Sequence, residues 1–170
     1  MRQMVSLSIV IGVIASLFVV FTPYRVHAAS LTDPRWPDQT RVGIHNAYDK
    51  SRFTYFINAL ESGAGSVEVD VWQNFLLSGK YRVSDSDPLG NNNNCEAVTS
   101  YDQLRHQNRN QGFTDCLNDM GLWQAHDPTH PPIILKLELK NGFDTANGYG
   151  PAQLDALLAK YLGANNIYTP

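Results

Sequence analysis

Two acidic side chains alternate with valines in one short segment of this 170-residue chain. The segment reads Ser-Val-Glu-Val-Asp-Val-Trp and contains Glu68 and Asp70. Strict alternation predicts a β-strand, on which both carboxylates leave the same face about 7 Å apart. The intervening valines then line the opposite face. A paired set of carboxylates of this kind can bind a cation or exchange protons.

A second predicted strand, residues 133–139, carries Glu138 on a face shared with Lys136 and Lys140. On a half-exposed antiparallel sheet these charges would simply face water. On a parallel sheet both faces are covered, and a buried carboxylate is costly unless it is paired or bound to a metal. The acidic face is therefore interpreted as a functional interior.

An imidazole and an amide stand at the end of the first predicted strand, at His45 and Asn46. The ends of strands are where β/α barrels hold their reactive groups. Three carboxylates and an amide form an all-oxygen cage, which prefers calcium or magnesium to zinc. A histidine imidazole can donate or relay a proton.

Strands and helices alternate along the chain, which favours an α/β fold with parallel strands and crossover helices. This order suits a β/α barrel or an open doubly wound sheet. A short strand at 81–84 should pair with the end of the strand at 66–72. The other predicted strands are 41–45, 133–139 and the start of one at 167–168, and the predicted helices are 53–62, 100–107, 114–125 (with Thr114 as N-cap) and 151–162.

The N-terminus has the pattern of a secretory signal peptide: Arg2, an apolar run over 5–21, and small residues around Ala28. An uncleaved membrane anchor is the rival interpretation, although the run is short for a bilayer. Cleavage after Ala28 predicts a secreted or periplasmic protein, with a lead-in at 29–39 and one domain over 40–170. Without residues 1–28 the net charge is −5, which argues against nucleic-acid binding.

The two cysteines, Cys95 and Cys116, both lie in the predicted mature part. An even count outside the cytoplasm predicts a disulfide. Two buried free thiols are the alternative.

Six motifs carry a resemblance to a known family. They are His-Asn-Ala-Tyr at 45–48, Gly-Ser-Val-Glu-Val-Asp-Val-Trp at 65–72, Tyr-Arg-Val at 81–83, Asn-Cys at 94–95, Cys-Leu at 116–117 and Pro-Ile-Ile-Leu-Lys-Leu-Glu-Leu-Lys at 132–140. They resemble the calcium-dependent bacterial and fungal branch of the phosphatidylinositol-specific phospholipase C superfamily. The resemblance covers about residues 40–170 and implies the N-terminal half of a TIM-type β/α barrel, truncated after that half.

The resemblance also implies roles for individual residues. His45 would be a catalytic histidine, and the Ca²⁺ ligands would be Asn46, Glu68, Asp70 and Glu138. The implied reaction is attack of the inositol 2-hydroxyl on the phosphodiester, which gives a cyclic phosphate. Inositol lipids, their glycosylated forms and soluble phosphodiesters all stay open as substrates, with transient contact to a membrane surface.

Two departures from the family pattern matter. Asp85 stands where the family has a second catalytic histidine, and an aspartate is mostly ionised at neutral pH and cannot then donate a proton. A half-barrel would also leave sheet edges unpaired, so that the sequence is a fragment, a truncated product or one half of an associating pair.

Two alternatives remain. One is a catalytically impaired relative that binds calcium or phosphorylated headgroups. The other is a glycerophosphodiester phosphodiesterase-like enzyme, although that family usually has arginine at the position of Asn46.

Overall fold

The computed structural model describes residues 41–74 and 80–168. The predicted signal peptide (1–28), the lead-in (29–39) and the turn at Ser78-Gly79 lie outside the described residues. Within the described part of the chain, no helix is long and apolar enough to cross a membrane.

A four-stranded mixed sheet organises the molecule around its second strand. The strands are β1 (Gly43–Ile44), β2 (Ser66–Asn74), β3 (Lys80–Val83) and β4 (Ile134–Leu139). Strands β1 and β4 both pair with β2 in parallel, whereas β3 pairs with the end of β2 in antiparallel orientation. The predicted parallel order and the predicted partner of β3 are therefore confirmed.

Three helices cover the valine face of β2. They are α1 (Phe56–Leu60), α2 (Phe113–His126) and α3 (Pro151–Leu158), and α3 continues through a π turn (Ala159–Gly163) into a 3₁₀ turn (Ala164–Asn166). The core contains the three β2 valines together with Phe56, Ile57, Phe113 and Leu117. This packing turns the acidic face of β2 away from the helices, as the alternation predicts.

The starts of the two longer helices differ in how well the sequence predicts them. Helix α3 begins at Pro151 as expected, because proline suits a first helical turn. Helix α2 begins at Phe113, where the carboxylate of Asp115 accepts the N–H of Gly112 at 3.1 Å. Thr114 lies inside the helix, so its prediction as the N-cap is wrong.

Two other predicted elements are also wrong. The proposed helix at 100–107 is only a 3₁₀ turn at Tyr101–Gln103, and residues 167–168 are not in a strand. Arg105 has φ 73°, which a helix does not allow. The carboxylate of Glu96 holds this backbone by accepting the N–H groups of Arg105 and Gln107, both at 2.7 Å.

Candidate metal centre and active site

Three carboxylates from two neighbouring strands meet on the face of the sheet that the helices leave uncovered. In the parallel pair, Asp70 of β2 lies beside Glu138 of β4, and Glu68 lies beside Lys136. One oxygen from each of Glu68, Asp70 and Glu138 lies within 4.8 Å of the others. Glu68 and Asp70 are only 4% and 1% exposed. The structure thus brings together the carboxylates that the two strand patterns single out.

Two lysines neutralise this cluster: Lys136 of β4 and Lys140, which directly follows β4. The Nζ atom of Lys140 lies 2.9 Å from Asp70 Oδ2 and 2.9 Å from Glu138 Oε1. Lys136 forms an ion pair with Glu68. The cluster is therefore a network of alternating charges, and each buried carboxylate has a cationic neighbour.

The electrostatic environments of the carboxylates differ. Burial raises the pKa of Asp70 above its ordinary value, although the hydrogen bonds from Lys140 and Tyr48 act in the opposite direction. The hydrogen bond from Lys140 lowers the pKa of Glu138. Tyr48 donates its hydroxyl to Asp70 Oδ2 at 2.9 Å, and burial and this carboxylate raise the pKa of the phenol. Tyr48 therefore stays protonated and fixes the orientation of Asp70.

The segment after β1 brings the imidazole of His45 to the cluster, and Asn46 follows it in the chain. The backbone N–H of Ala47 donates to the carbonyl oxygen of Glu68 at 3.0 Å, which ties this segment to β2. His45 Nε2 lies 3.2 Å from Glu68 Oε2, and the histidine side chain is 66% exposed. Asn46 is buried and adopts the left-handed conformation, with φ 54°. Asparagine tolerates this conformation better than most residues.

Asp85, which follows β3, lies at the rim of the cluster. Its carboxylate is exposed, and Oδ1 lies 3.6 Å from Lys140 Nζ. The structure therefore places this residue beside the other predicted site residues. Its contact in the described part of the chain is with a lysine that also binds Asp70 and Glu138.

The donor set fits a hard cation. The Oδ1 atoms of Asn46 and Asp70 are both buried and have no hydrogen-bond partner among the described residues. Buried acceptors are normally satisfied, so these two oxygens are available to a ligand. All four candidate ligands offer oxygen, which calcium and magnesium prefer.

The predicted disulfide is confirmed. Cys95 and Cys116 are bonded, and they join the loop before the 3₁₀ turn to α2. The bond lies in the core, on the helical side of the sheet. It supports the fold and takes no part in the acidic cluster.

Several residues near these features are not evident from the sequence. Tyr48 belongs to a motif of the family resemblance, but only the folded chain shows its bond to Asp70. A second pair of fully buried carboxylates, Glu96 and Asp119, lies beside the disulfide. Asp119 accepts the N–H of Glu96 at 2.9 Å, and burial raises its pKa to about 8. The local sequence around these two residues has no strand alternation or ligand spacing that would have revealed them.

Solved structures show what this architecture is similar to. A calcium-dependent phosphatidylinositol-specific phospholipase C from Streptomyces antibioticus is 48% identical, with a TM-score of 0.70. A calcium-dependent phosphoinositol-specific phospholipase C from a Pseudomonas species, in a myo-inositol complex, is 27% identical with a TM-score of 0.59. Another crystal form of the Pseudomonas enzyme gives a TM-score of 0.58 at the same identity. No protein-family model and no curated protein sequence matches the chain.

These matches cover most of this chain but less than half of each relative. The Streptomyces match covers 73% of this chain and 39% of that enzyme, and the Pseudomonas match covers 74% and 41%. The chain thus spans about two fifths of the length of these relatives. The resemblance noted in the sequence is confirmed: the described residues have the fold of part of a phosphatidylinositol-specific phospholipase C barrel.

Proposed function

We propose that this chain forms part of a calcium-dependent phosphodiesterase similar to phosphatidylinositol-specific phospholipase C. The observation that carries the proposal is the convergence of three carboxylates from β2 and β4. The buried oxygens of Asn46 and Asp70 that lack a hydrogen-bond partner among the described residues support it. Asn46, Glu68, Asp70 and Glu138 would hold the calcium ion. The 48% identity to a calcium-dependent enzyme supports this choice of metal.

The reaction would be an attack by a hydroxyl that neighbours the phosphodiester. A new bond forms between this oxygen and phosphorus, the bond to the leaving alcohol breaks, and the proton of the hydroxyl must be removed while the alcohol gains one. A bound calcium ion would lower the pKa of the attacking hydroxyl and neutralise charge on the phosphoryl oxygens. His45 is accessible to a substrate and is oriented by Glu68, so it can exchange a proton with the reacting oxygens.

Asp85 favours a second candidate function, a catalytically impaired relative. Asp85 lies beside Lys140, and an aspartate is a poorer proton donor to a leaving alcohol than a histidine. Such a protein would bind calcium or phosphorylated headgroups with little turnover. The two candidates share the calcium site and differ in the rate of catalysis.

The expected substrate is a phospholipid headgroup or a soluble phosphodiester. The myo-inositol complex of the Pseudomonas relative supports an inositol-type headgroup. The signal-peptide pattern supports a secreted or periplasmic location, where the enzyme would touch a membrane surface transiently.

An activity assay tests the proposal on a chimera in which the Streptomyces relative supplies the rest of the barrel. We expect ³¹P NMR to detect a cyclic inositol phosphate from phosphatidylinositol vesicles with calcium and none with a chelator. His45→Ala should lower the rate by at least ~100-fold. The matched control is His106→Ala, at an exposed histidine. Cleavage that is unaffected by the chelator, or by loss of His45, would refute the proposed function.

A further inference from the structure

A single ammonium group contacts three of the four carboxylates at the acidic end of the sheet. Lys140 Nζ lies 2.9 Å from Asp70, 2.9 Å from Glu138 and 3.6 Å from Asp85. The lysine side chain is only 19% exposed, so water screens these contacts less than at an open surface. Its backbone N–H donates to the carbonyl oxygen of Val71 at 3.0 Å, which fixes the starting point of the side chain.

A divalent cation would compete with Lys140 for the same carboxylates, Asp70 and Glu138. Asp70 Oδ2 already accepts from both Lys140 and Tyr48, and Glu138 Oε1 accepts from Lys140. An ammonium left in place would also repel a second cation a few ångströms away, an effect that is strong at a partly buried site. Binding of the metal therefore requires the ammonium to move.

Asp85 can form an ion pair with the displaced ammonium group of Lys140. The carboxylate of Asp85 is 67% exposed and lies on the solvent side of the cluster. A rotation of the long lysine side chain can exchange Asp70 and Glu138 for this partner. Lys136 differs from Lys140, because its ion pair among the described residues is with Glu68 and its side chain is 61% exposed.

We infer that Lys140 is a displaceable counter-ion of the acidic cluster, which neutralises Asp70 and Glu138 and must leave them before calcium binds. The inference rests on the proposed calcium site and adds a residue that sets its affinity. Lys140 thereby weakens calcium binding. In the metal-free protein it holds the carboxylates of Asp70 and Glu138 in position.

Calorimetric titration of the full chain with calcium chloride tests this inference. We expect Lys140→Met to lower the Kd for calcium by at least ~10-fold, about 1.4 kcal/mol. Lys160→Met, which removes the same charge at an exposed position of the π turn after α3, should stay within about twofold of the unmodified protein. Lys140→Gln gives the same comparison with a neutral hydrogen-bond donor, should Lys140→Met fail to fold.

Chemical labelling provides a readout that does not depend on a substitution. Acetylation of each lysine, followed by mass spectrometry, reports how accessible its amine is. Calcium should accelerate the labelling of Lys140 several-fold and leave that of Lys160 unchanged.

The outcomes separate the two proposals. If the unmodified protein binds calcium and neither Lys140 variant binds it more tightly, or if calcium slows the labelling of Lys140, the inference is overturned and the calcium site stands. If the unmodified protein and every variant fail to bind calcium, both are overturned.

Discussion

Asp70 and Glu138 lie side by side on parallel neighbouring strands, although 67 residues of sequence separate them. A carboxylate pair at such positions would repel strongly without a cation between or beside them. Lys140 supplies one such cation in the described structure. The same geometry makes the pair suitable for a calcium ion, because both oxygens face one point on the uncovered side of the sheet.

Asp70→Asn should weaken calcium binding by at least ~10-fold, because it removes a full charge and preserves the shape of the side chain. Titration calorimetry measures the change. Asp155→Asn, at an exposed position of α3, is the matched control and should bind like the unmodified protein. Equal affinities for the two variants would remove Asp70 from the site.

Asp85→His should raise phosphodiesterase activity at pH 7 by at least ~10-fold in the chimera described above, because it supplies a proton donor for the leaving alcohol. The rate of cyclic phosphate release is the measurement. A fall in both activity and calcium affinity would instead identify Asp85 as a calcium ligand. Activity that is absent before and after the substitution would favour the impaired relative.

Removal of the Cys95–Cys116 disulfide should lower the free energy of unfolding by about 3 kcal/mol, because the bond closes a loop of about 20 residues. Urea unfolding of the double Cys→Ala variant measures this loss. Addition of a reductant to the unmodified protein should reproduce most of it, whereas the variant should not respond. A loss below ~1 kcal/mol would mean that packing alone holds the loop.

The buried carboxyl of Asp119 should make the protein less stable as the pH rises. Its pKa of about 8 in the fold exceeds that of an unfolded aspartate, so the folded state binds the extra proton between these values. This group therefore contributes stability at low pH that declines by about 1.4 kcal/mol per pH unit and is lost above about pH 8. Glu96 and Asp115 are the charged neighbours that reinforce the effect of burial.

Thermal unfolding of Asp119→Asn between pH 5 and 8 tests this effect, because the amide mimics the protonated acid. The variant should lose less stability than the unmodified protein over this range. It should also be the more stable of the two at pH 8. Parallel pH profiles for both proteins would contradict the assignment.

The sequence predicts the parts of the site that depend on local pattern. Alternation alone places Glu68 and Asp70 on one face of β2, and the order of strands and helices predicts parallel pairing. The register that sets Asp70 beside Glu138, and the reach of Lys140 across to β2, depend on long-range packing that no local pattern encodes. From the sequence, only the family resemblance indicated that Asp70 of β2 and Glu138 of β4 belong to one site.

The predicted helix at 100–107 is wrong for a similar reason. Residues 100–107 contain helix-compatible side chains, but the buried carboxylate of Glu96 binds the N–H groups of Arg105 and Gln107 and holds the backbone in another conformation. Such a contact between distant residues overrides local propensity. The second carboxylate, Asp119, belongs to a helix that packs on this loop, and this packing is likewise invisible to a sequence pattern.

A crystal structure of the protein grown with calcium would show directly whether the acidic cluster binds the metal. We expect an anomalous peak within about 2.3–2.6 Å of oxygens of Asn46, Glu68, Asp70 and Glu138, with Lys140 turned towards Asp85. A crystal in which these carboxylates keep their lysine partners, with calcium bound elsewhere or nowhere, would contradict this expectation.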